Sequence, residues 1–310
     1  MRYLNIKNTD LSVSNIVLGC MRIAGLEKPA INTLVHAAME EGINFFDHAD
    51  IYGRHSDAGN CEELFADALQ MNDDLREKMI LQSKCGIREG YFDFSKEHIV
   101  SSAEGILKRL RTDYLDILLL HRPDPLMDPE EVAEAFRILH DSGKVRYFGV
   151  SNQIPMQMEL LQKYTDQKIV VNQLQLSLCN SMFIDSGIAA NMQINQSIDR
   201  TGGVYEYCRL KDITLQAWSP FQKGYFGGVF LGDYENYGEL NKLIDQLAEK
   251  YNVPTSAIAV AWLTRIPSGI QVILGTTSLA HLHECCLGSD LQLTRKEWYD
   301  LYKAAGNVIP

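Results

Sequence analysis

Eight short runs rich in apolar and β-branched residues, each separated from the next by a helix-length segment, constrain this chain more than any other feature. The runs lie at 15–20, 44–47, 79–84, 115–121, 145–150, 169–173, 213–218 and 271–274. Strands that alternate with helices pair in parallel through right-handed crossovers, with the helices covering the sheet. Eight units favour closure into a barrel over an open sheet. No Gly-x-Gly-x-x-Gly follows the first run, as a dinucleotide-binding open sheet would require. The predicted fold class is α/β, a (β/α)8 TIM barrel.

Local punctuation agrees with that division. Gly42 stops a helix over 27–41, and Gly143 stops one over 129–142 that Pro129 opens. Ser95 reads as the N-cap of a helix to about 110, with His98 three residues on. Further helices are expected at 60–71, 155–164, 203–210, 239–251, 254–265, from 278, and at 294–305. Thr9-Asp10 between two alternating runs predicts a hairpin within 1–14 that plugs one end of the barrel. A Gln/Asn-rich loop precedes 203, and a loop rich in glycine and aromatics spans 219–238.

The totals narrow the class. A barrel takes ~250 residues, so 310 residues are expected to form a single domain over 1–310. A net charge of −11 argues against nucleic acid or an anionic membrane as partner. Seven cysteines, with no Cys-x-x-Cys pair and no zinc spacing, suggest a reduced, cytoplasmic protein. The first residues lack the apolar core of a signal peptide, and no stretch approaches the ~18 apolar residues of a membrane span.

In such a barrel the residues that end the strands face the active site. Here they are Gly19-Cys20, Asp47, Lys84, His121, Ser151-Asn152, Gln173, Trp218-Ser219 and Gly275-Thr276. Tyr52, beside Gly53, follows Asp47 by a single turn. A phenol has an ordinary pKa near 10, and lowering it two units takes roughly 3 kcal/mol. One desolvated ammonium within hydrogen-bond reach, such as Lys84, is of that size, and Asp47 could hold it. Singly, each residue has a plainer reading: a packing tyrosine, a rim ion pair, a core histidine. Their conjunction at strand ends outweighs those readings.

The phrase GINFFDHADIYG at 42–53, with Asp47, Tyr52, Lys84 and His121, resembles the signature and catalytic tetrad of the aldo-keto reductases. The resemblance covers nearly the whole chain. It implies an NAD(P)H-dependent oxidoreductase that passes hydride to an aldehyde or ketone. Tyr52 is then the general acid, Lys84 lowers its pKa, Asp47 holds and neutralises Lys84, and His121 orients the carbonyl. Ser151, Asn152 and Gln173 match positions that read the nicotinamide carboxamide, and Trp218 the aromatic that stacks on the ring. Gly19, Cys20 and Asp47 are counted in the same cofactor site. Ser219, Phe221 and Gly224 would border the pyrophosphate. Gly275, Thr276, Thr277, Ser278, His281 and Glu284 would hold the adenosine phosphate at a helix N-terminus.

NADP(H) is the implied cofactor, and no metal is implied. NAD(H) stays open, because family members often carry arginine where His281 stands, and an arginine fork clamps a 2′-phosphate. The expected partner is a small carbonyl or alcohol substrate, and the expected state a monomer or small homo-oligomer. A nicotinamide-sensing regulatory subunit on the same barrel is the first alternative. A metal-dependent hydrolase using Asp47, His48 and His121 is the second, and it would need more ligands than the strand ends offer. His48 is expected to make a structural hydrogen bond, and Asp50 to bond backbone or cap the next helix. Tyr91, Phe92, Phe94, Tyr225, Phe226 and Phe230 either line an apolar pocket or pin their loops.

Overall fold

The eight runs close on one another in parallel. In the computed structural model, which describes residues 1–225, 227–267 and 269–309, the strands in chain order begin with a hairpin, β1 (Tyr3–Asn5) and β2 (Ser12–Ser14). Then come β3 (Ile16–Gly19), β4 (Phe45–Asp47), β5 (Ile80–Cys85), β6 (Leu115–Leu120) and β7 (Val145–Ser151). The last are β8 (Ile169–Gln175), β9 (Thr214–Trp218) and β10 (Gln271–Leu274). Strands β3 to β10 pair in sequence order, and β10 pairs back onto β3 to close the barrel. The predicted fold is the observed one.

Twelve α-helices are described around the strands. The first six are α1 (Lys28–Glu40), α2 (Cys61–Leu69), α3 (Asp73–Arg76), α4 (Lys96–Leu110), α5 (Pro129–Asp141) and α6 (Pro155–Gln162). The rest are α7 (Met182–Ile188), α8 (Val204–Leu210), α9 (Tyr234–Tyr251), α10 (Thr255–Thr264), α11 (Leu279–Cys286) and α12 (Arg295–Ala304). Ser95 caps α4 through His98 N, as the sequence suggests. Helix α7 falls in the Gln/Asn-rich stretch expected to be loop. Helix α9 starts five residues earlier than expected and kinks at Tyr237, where φ is −129°.

Parallel strands buried on both faces read as continuous apolar runs, and β6 (LDILLL) is buried at every position. Asp116 survives there because it is fully hydrogen-bonded. It accepts from Arg76 Nη2 and Arg146 Nη1, each at 2.8 Å, and from Leu81 N at 2.9 Å. The hairpin closes the N-terminal end of the barrel: Ile6, Leu11 and Val13 pack with Val17, Phe45, Ile117 and Leu119. With that end plugged, the C-terminal mouth is the end left for chemistry. Helix α12 docks against α10 through stacked indoles, Trp262 and Trp298, with centroids 4.8 Å apart.

Candidate active site

Strand alternation sends Gln82 and Lys84 into the barrel and turns Ser83 outward, where its hydroxyl donates to Glu62 on α2. Lys84 is fully buried at the end of β5, beside Asp47 at the end of β4. Its Nζ donates to Asp47 Oδ2 at 2.7 Å, to the His48 carbonyl at 2.7 Å and to Tyr52 Oη at 3.2 Å. Three acceptors for three hydrogens leave the ammonium fully satisfied.

Two hydrogen bonds extend the pairing of β4 with β5 past the strand, His48 N to Gln82 O and Asp50 N to Lys84 O. The chain then turns, with Tyr52 N donating to Ala49 O at 3.0 Å. Gly53 has φ +79°, and a Cβ there would lie 2.5 Å from Gly59 O, so the turn that presents Tyr52 requires glycine. His121 leaves β6 with its N–H on Cys85 O at 3.0 Å. Its ring meets Tyr52 edge-on, with centroids 6.0 Å apart. The four residues singled out in the sequence therefore converge.

Their electrostatics are set by burial first. Burial pulls Lys84 down, yet the charge of Asp47 and the contact with Tyr52 more than offset it, so Lys84 lies above its ordinary value and stays charged. Burial raises the Tyr52 phenol, and the charge of Asp47 adds to this. Lys84 acts in the opposite direction without overcoming them. Lys84 thus lowers the phenol as expected, but burial, which sequence does not show, outweighs it. His121 is held well below its ordinary value by burial, then by the charges of Lys84 and Arg122. It is a neutral imidazole with Nδ1 unpartnered.

His48 does not make the side-chain hydrogen bond expected of it. Both ring nitrogens are buried without a partner, against the Phe65 ring at 4.6 Å, and burial lowers its pKa to about 3. Only its backbone carbonyl reaches the site. Asp50 does not cap α2, which Asn60 caps; it bonds nearby backbone instead, at the Ile51 N–H, while its Oδ1 is buried and unpartnered. Burial and the neighbouring Glu62 raise Asp50 to about 7.

The residues assigned to a cofactor divide. Ser151 Oγ donates to Gln173 O at 3.0 Å, and Asn152, at φ +58°, takes Trp218 Nε1 on its Oδ1 at 3.2 Å. Gln173 Nε2 is committed to Asp47 Oδ1 and Gln216 Oε1, both at 3.0 Å. Ser219 holds φ +53°, and Phe221 lies 5.4 Å from the His281 ring, so the loop after β9 meets the start of α11. Thr276 Oγ1 accepts from Ser278 N, and Ser278 caps α11 through His281 N. A Cβ at Gly224 or Gly275 would meet nothing within 4 Å. Thr277 is exposed, and Glu284 accepts from Ser256 on α10.

Gly19 ends β3 opposite Asp47 in the pairing with β4, and Cys20 follows it. Both are sealed from solvent, and a Cβ at Gly19 would lie 2.9 Å from Ile273 Cγ2. That glycine serves the packing of β3 on β10, and Cys20 belongs to the hydrophobic core. Among the aromatics, Phe94 and Phe230 are buried and pin their loops, whereas Tyr91, Phe92 and Tyr225 are exposed. Phe226 lies outside the described residues.

Sequence reading missed two features. Arg122, directly after His121, lies over the Trp218 and Tyr225 rings, 5.8 Å from each centroid. Gln82, Gln216 and Gln271 join Gln173 in the barrel interior. Gln82 stands two residues before Lys84, and strand alternation alone would have put it on the inner face.

The closed barrel, with its polar strand ends gathered at one mouth around a buried Lys–Asp pair, defines a (β/α)8 protein of the enzyme type. The model of the aldo/keto reductase family matches residues 15–305, and the chain belongs to that family of oxidoreductases. It is 34% identical to the uncharacterized oxidoreductase YcsN of Bacillus subtilis (strain 168), covering 97% of each chain. It is 32% identical to a 6-dehydroglucose reductase of Agrobacterium fabrum, covering 95% of each. The fold is shared with a Bombyx mori aldo-keto reductase solved in complex with NADP, at TM-score 0.73 and 20% identity, over 98% of this chain and 92% of that one.

Proposed function

We propose that this protein reduces an aldehyde or ketone with NADPH and that Tyr52 delivers the proton. The observation that carries the reading is Tyr52 Oη, 3.2 Å from a buried ammonium whose other hydrogens are taken by Asp47 and the His48 carbonyl. A phenol held above its ordinary pKa keeps its proton at neutral pH, as a general acid must before the step. As negative charge builds on the substrate oxygen, Tyr52 gives up that proton. Lys84, in hydrogen-bond contact with it, stabilises the phenolate that remains. Neutral His121, edge-on to Tyr52, donates from its protonated ring nitrogen to orient the carbonyl. The nicotinamide supplies the hydride.

The residues present fit such a dinucleotide. Gln173 Oε1 accepts no hydrogen bond among the described residues, and an amide needs an acceptor as well as donors. Gly224 and Gly275 leave the backbone open to close approach, and α11, shortly after Gly275, presents a capped N-terminus. We read NADP(H) as the cofactor, by analogy with the Bombyx mori relative. His281 in place of a more basic residue keeps NAD(H) open. No three His, Cys, Asp or Glu side chains cluster to hold a metal among the described residues, and no helix among them is long and apolar enough to cross a membrane.

Parallel fluorescence titrations with NADPH and NADH, followed by 4-nitrobenzaldehyde while the reduced nicotinamide absorbance is watched, test the reading. Saturable binding and aldehyde-dependent oxidation are expected, with turnover down ~10²-fold or more in Tyr52→Phe and binding kept. Near-normal turnover in Tyr52→Phe would overturn the assignment. Tight binding without oxidation over a broad carbonyl panel would favour the nicotinamide-sensing alternative.

A further inference from the structure

Four glutamines, from β5, β8, β9 and β10, cross the barrel interior as one hydrogen-bonded ladder between its plugged floor and Asp47. At the floor, Gln271 Nε2 donates to the backbone carbonyl of Ser14 at 2.9 Å, and Gln271 Oε1 accepts from Gln216 Nε2 at 2.9 Å. Gln216 Oε1 accepts from Gln82 Nε2 at 2.8 Å and from Gln173 Nε2 at 3.0 Å. Both of those nitrogens also donate to Asp47 Oδ1, at 2.7 and 3.0 Å. Gln216 Nε2 gives its remaining hydrogen to Gln82 Oε1 at 3.2 Å. All four side chains are 97% or more buried.

The sense of each amide follows from the two ends. Ser14 O can only accept, so Gln271 must turn its nitrogen down and its oxygen up. Gln216 must then turn its nitrogen down and its oxygen up in turn. The ladder therefore turns N–H groups toward Asp47, from Gln82 and Gln173, and both meet on a single oxygen of its carboxylate. That leaves Oδ2 for Lys84. Flipping any one amide would set two oxygens face to face in a dry interior, where an unmade hydrogen bond costs most.

Amides also carry no proton that titrates in the working range, so the ladder holds a charge without supplying a competing acid. An apolar barrel core would have filled the space at lower desolvation cost, so the amides call for a reason other than packing.

We propose that Gln82, Gln216 and Gln271 are positioning residues for the reduction step, fixing the Asp47 carboxylate, and through it Lys84, from the floor of the barrel. The proposal rests on the reading of Tyr52, Lys84 and Asp47 as the proton-delivering centre. Gln216 is the hub, and neither it nor Gln271 is bonded to Lys84, Tyr52 or His121.

The test is a double-mutant cycle on the full chain, with NADPH and 4-nitrobenzaldehyde, measuring kcat, KM and the Kd for NADPH. Gln216→Met, close in volume, is expected to lower kcat about 10-fold or more with NADPH affinity unchanged. In an Asp47→Asn background the same substitution is expected to have no further effect, because the group it positions is already gone. Equal effects in both backgrounds would show a merely structural role and overturn the proposal, as would an unchanged kcat in Gln216→Met. If Gln216→Met does not fold, Gln271→Met, at the far end, carries the same expectation and the same refutation. A full-rate Asp47→Asn would refute the proton-delivery reading itself, and the ladder with it. A crippled Asp47→Asn with an uncoupled Gln216→Met refutes the ladder alone.

Discussion

Lys84 Nζ lies 2.7 Å from Asp47 Oδ2 with both side chains shut off from solvent, so neither charge can be removed without stranding the other. Truncating one member of such a pair typically costs about 3–5 kcal/mol. Lys84→Met should therefore lower stability by that order as well as abolish most turnover. The double variant Asp47→Asn/Lys84→Met removes the stranded charge and should be more stable than Lys84→Met, while remaining inactive. Urea denaturation of the two variants beside the wild type checks this. A double variant no more stable than the single would mean that the pair is not the source of the loss.

The N-terminus of α11 makes a second prediction. His281 sits in its first turn, with its backbone N–H on Ser278 Oγ at 3.3 Å, and its ring faces Phe221 rather than an acid. An arginine there brings a permanent charge and a fork suited to a phosphate. His281→Arg should raise the ratio of NADPH to NADH affinity about tenfold, equivalent to roughly 1.4 kcal/mol. Parallel titrations of both nucleotides measure it, and an unchanged ratio would place the 2′-phosphate elsewhere.

The convergence of Asp47, Tyr52, Lys84 and His121 was legible because a parallel barrel leaves strand ends nowhere to go but a common mouth. The plugging hairpin was legible for the same kind of reason, since its alternating residues needed a core to enter. What escaped was everything decided across the barrel. Gln82 and Gln216 are 134 residues apart, and nothing local in either strand announces the other. The upward shift of Tyr52 escaped too, because a sequence shows which cation is near but not how little water remains. Helix α7 was missed because Met182–Ile188 contains a glycine and no side-chain cap marks its start.

Gly149 shows packing that limits what the site's frame can tolerate. A Cβ at this position in β7 would lie 2.6 Å from Leu119 Cδ2 and 2.8 Å from the Val171 carbonyl. The carbonyl belongs to the neighbouring strand and cannot step aside as a side-chain end could. Gly149→Ala should cost about 1–3 kcal/mol through overpacking. Because β7 runs directly into Ser151 and Asn152, NADPH affinity should fall with stability. A variant with wild-type Tm and wild-type affinity would show that the strand spacing relaxes at that point.

Asp50 gives the last prediction, and its sign can be worked out. Burial, with the charge of Glu62 next, raises its folded pKa to about 7, while Arg54 and Arg109 act the other way. The unfolded value is near 3.9. A carboxyl raised on folding contributes its full stability below the unfolded pKa and loses it as pH climbs through the folded one. Between about pH 4 and pH 7 the wild type should therefore lose stability, on the order of 4 kcal/mol at most, from about three units at 1.36 kcal/mol each. Asp50→Asn keeps the shape and has no charge to bury. Its Tm should match or trail the wild type near about pH 4 and exceed it near about pH 8. A Tm difference constant across that range would assign the pH dependence to Glu62, whose pKa burial also raises.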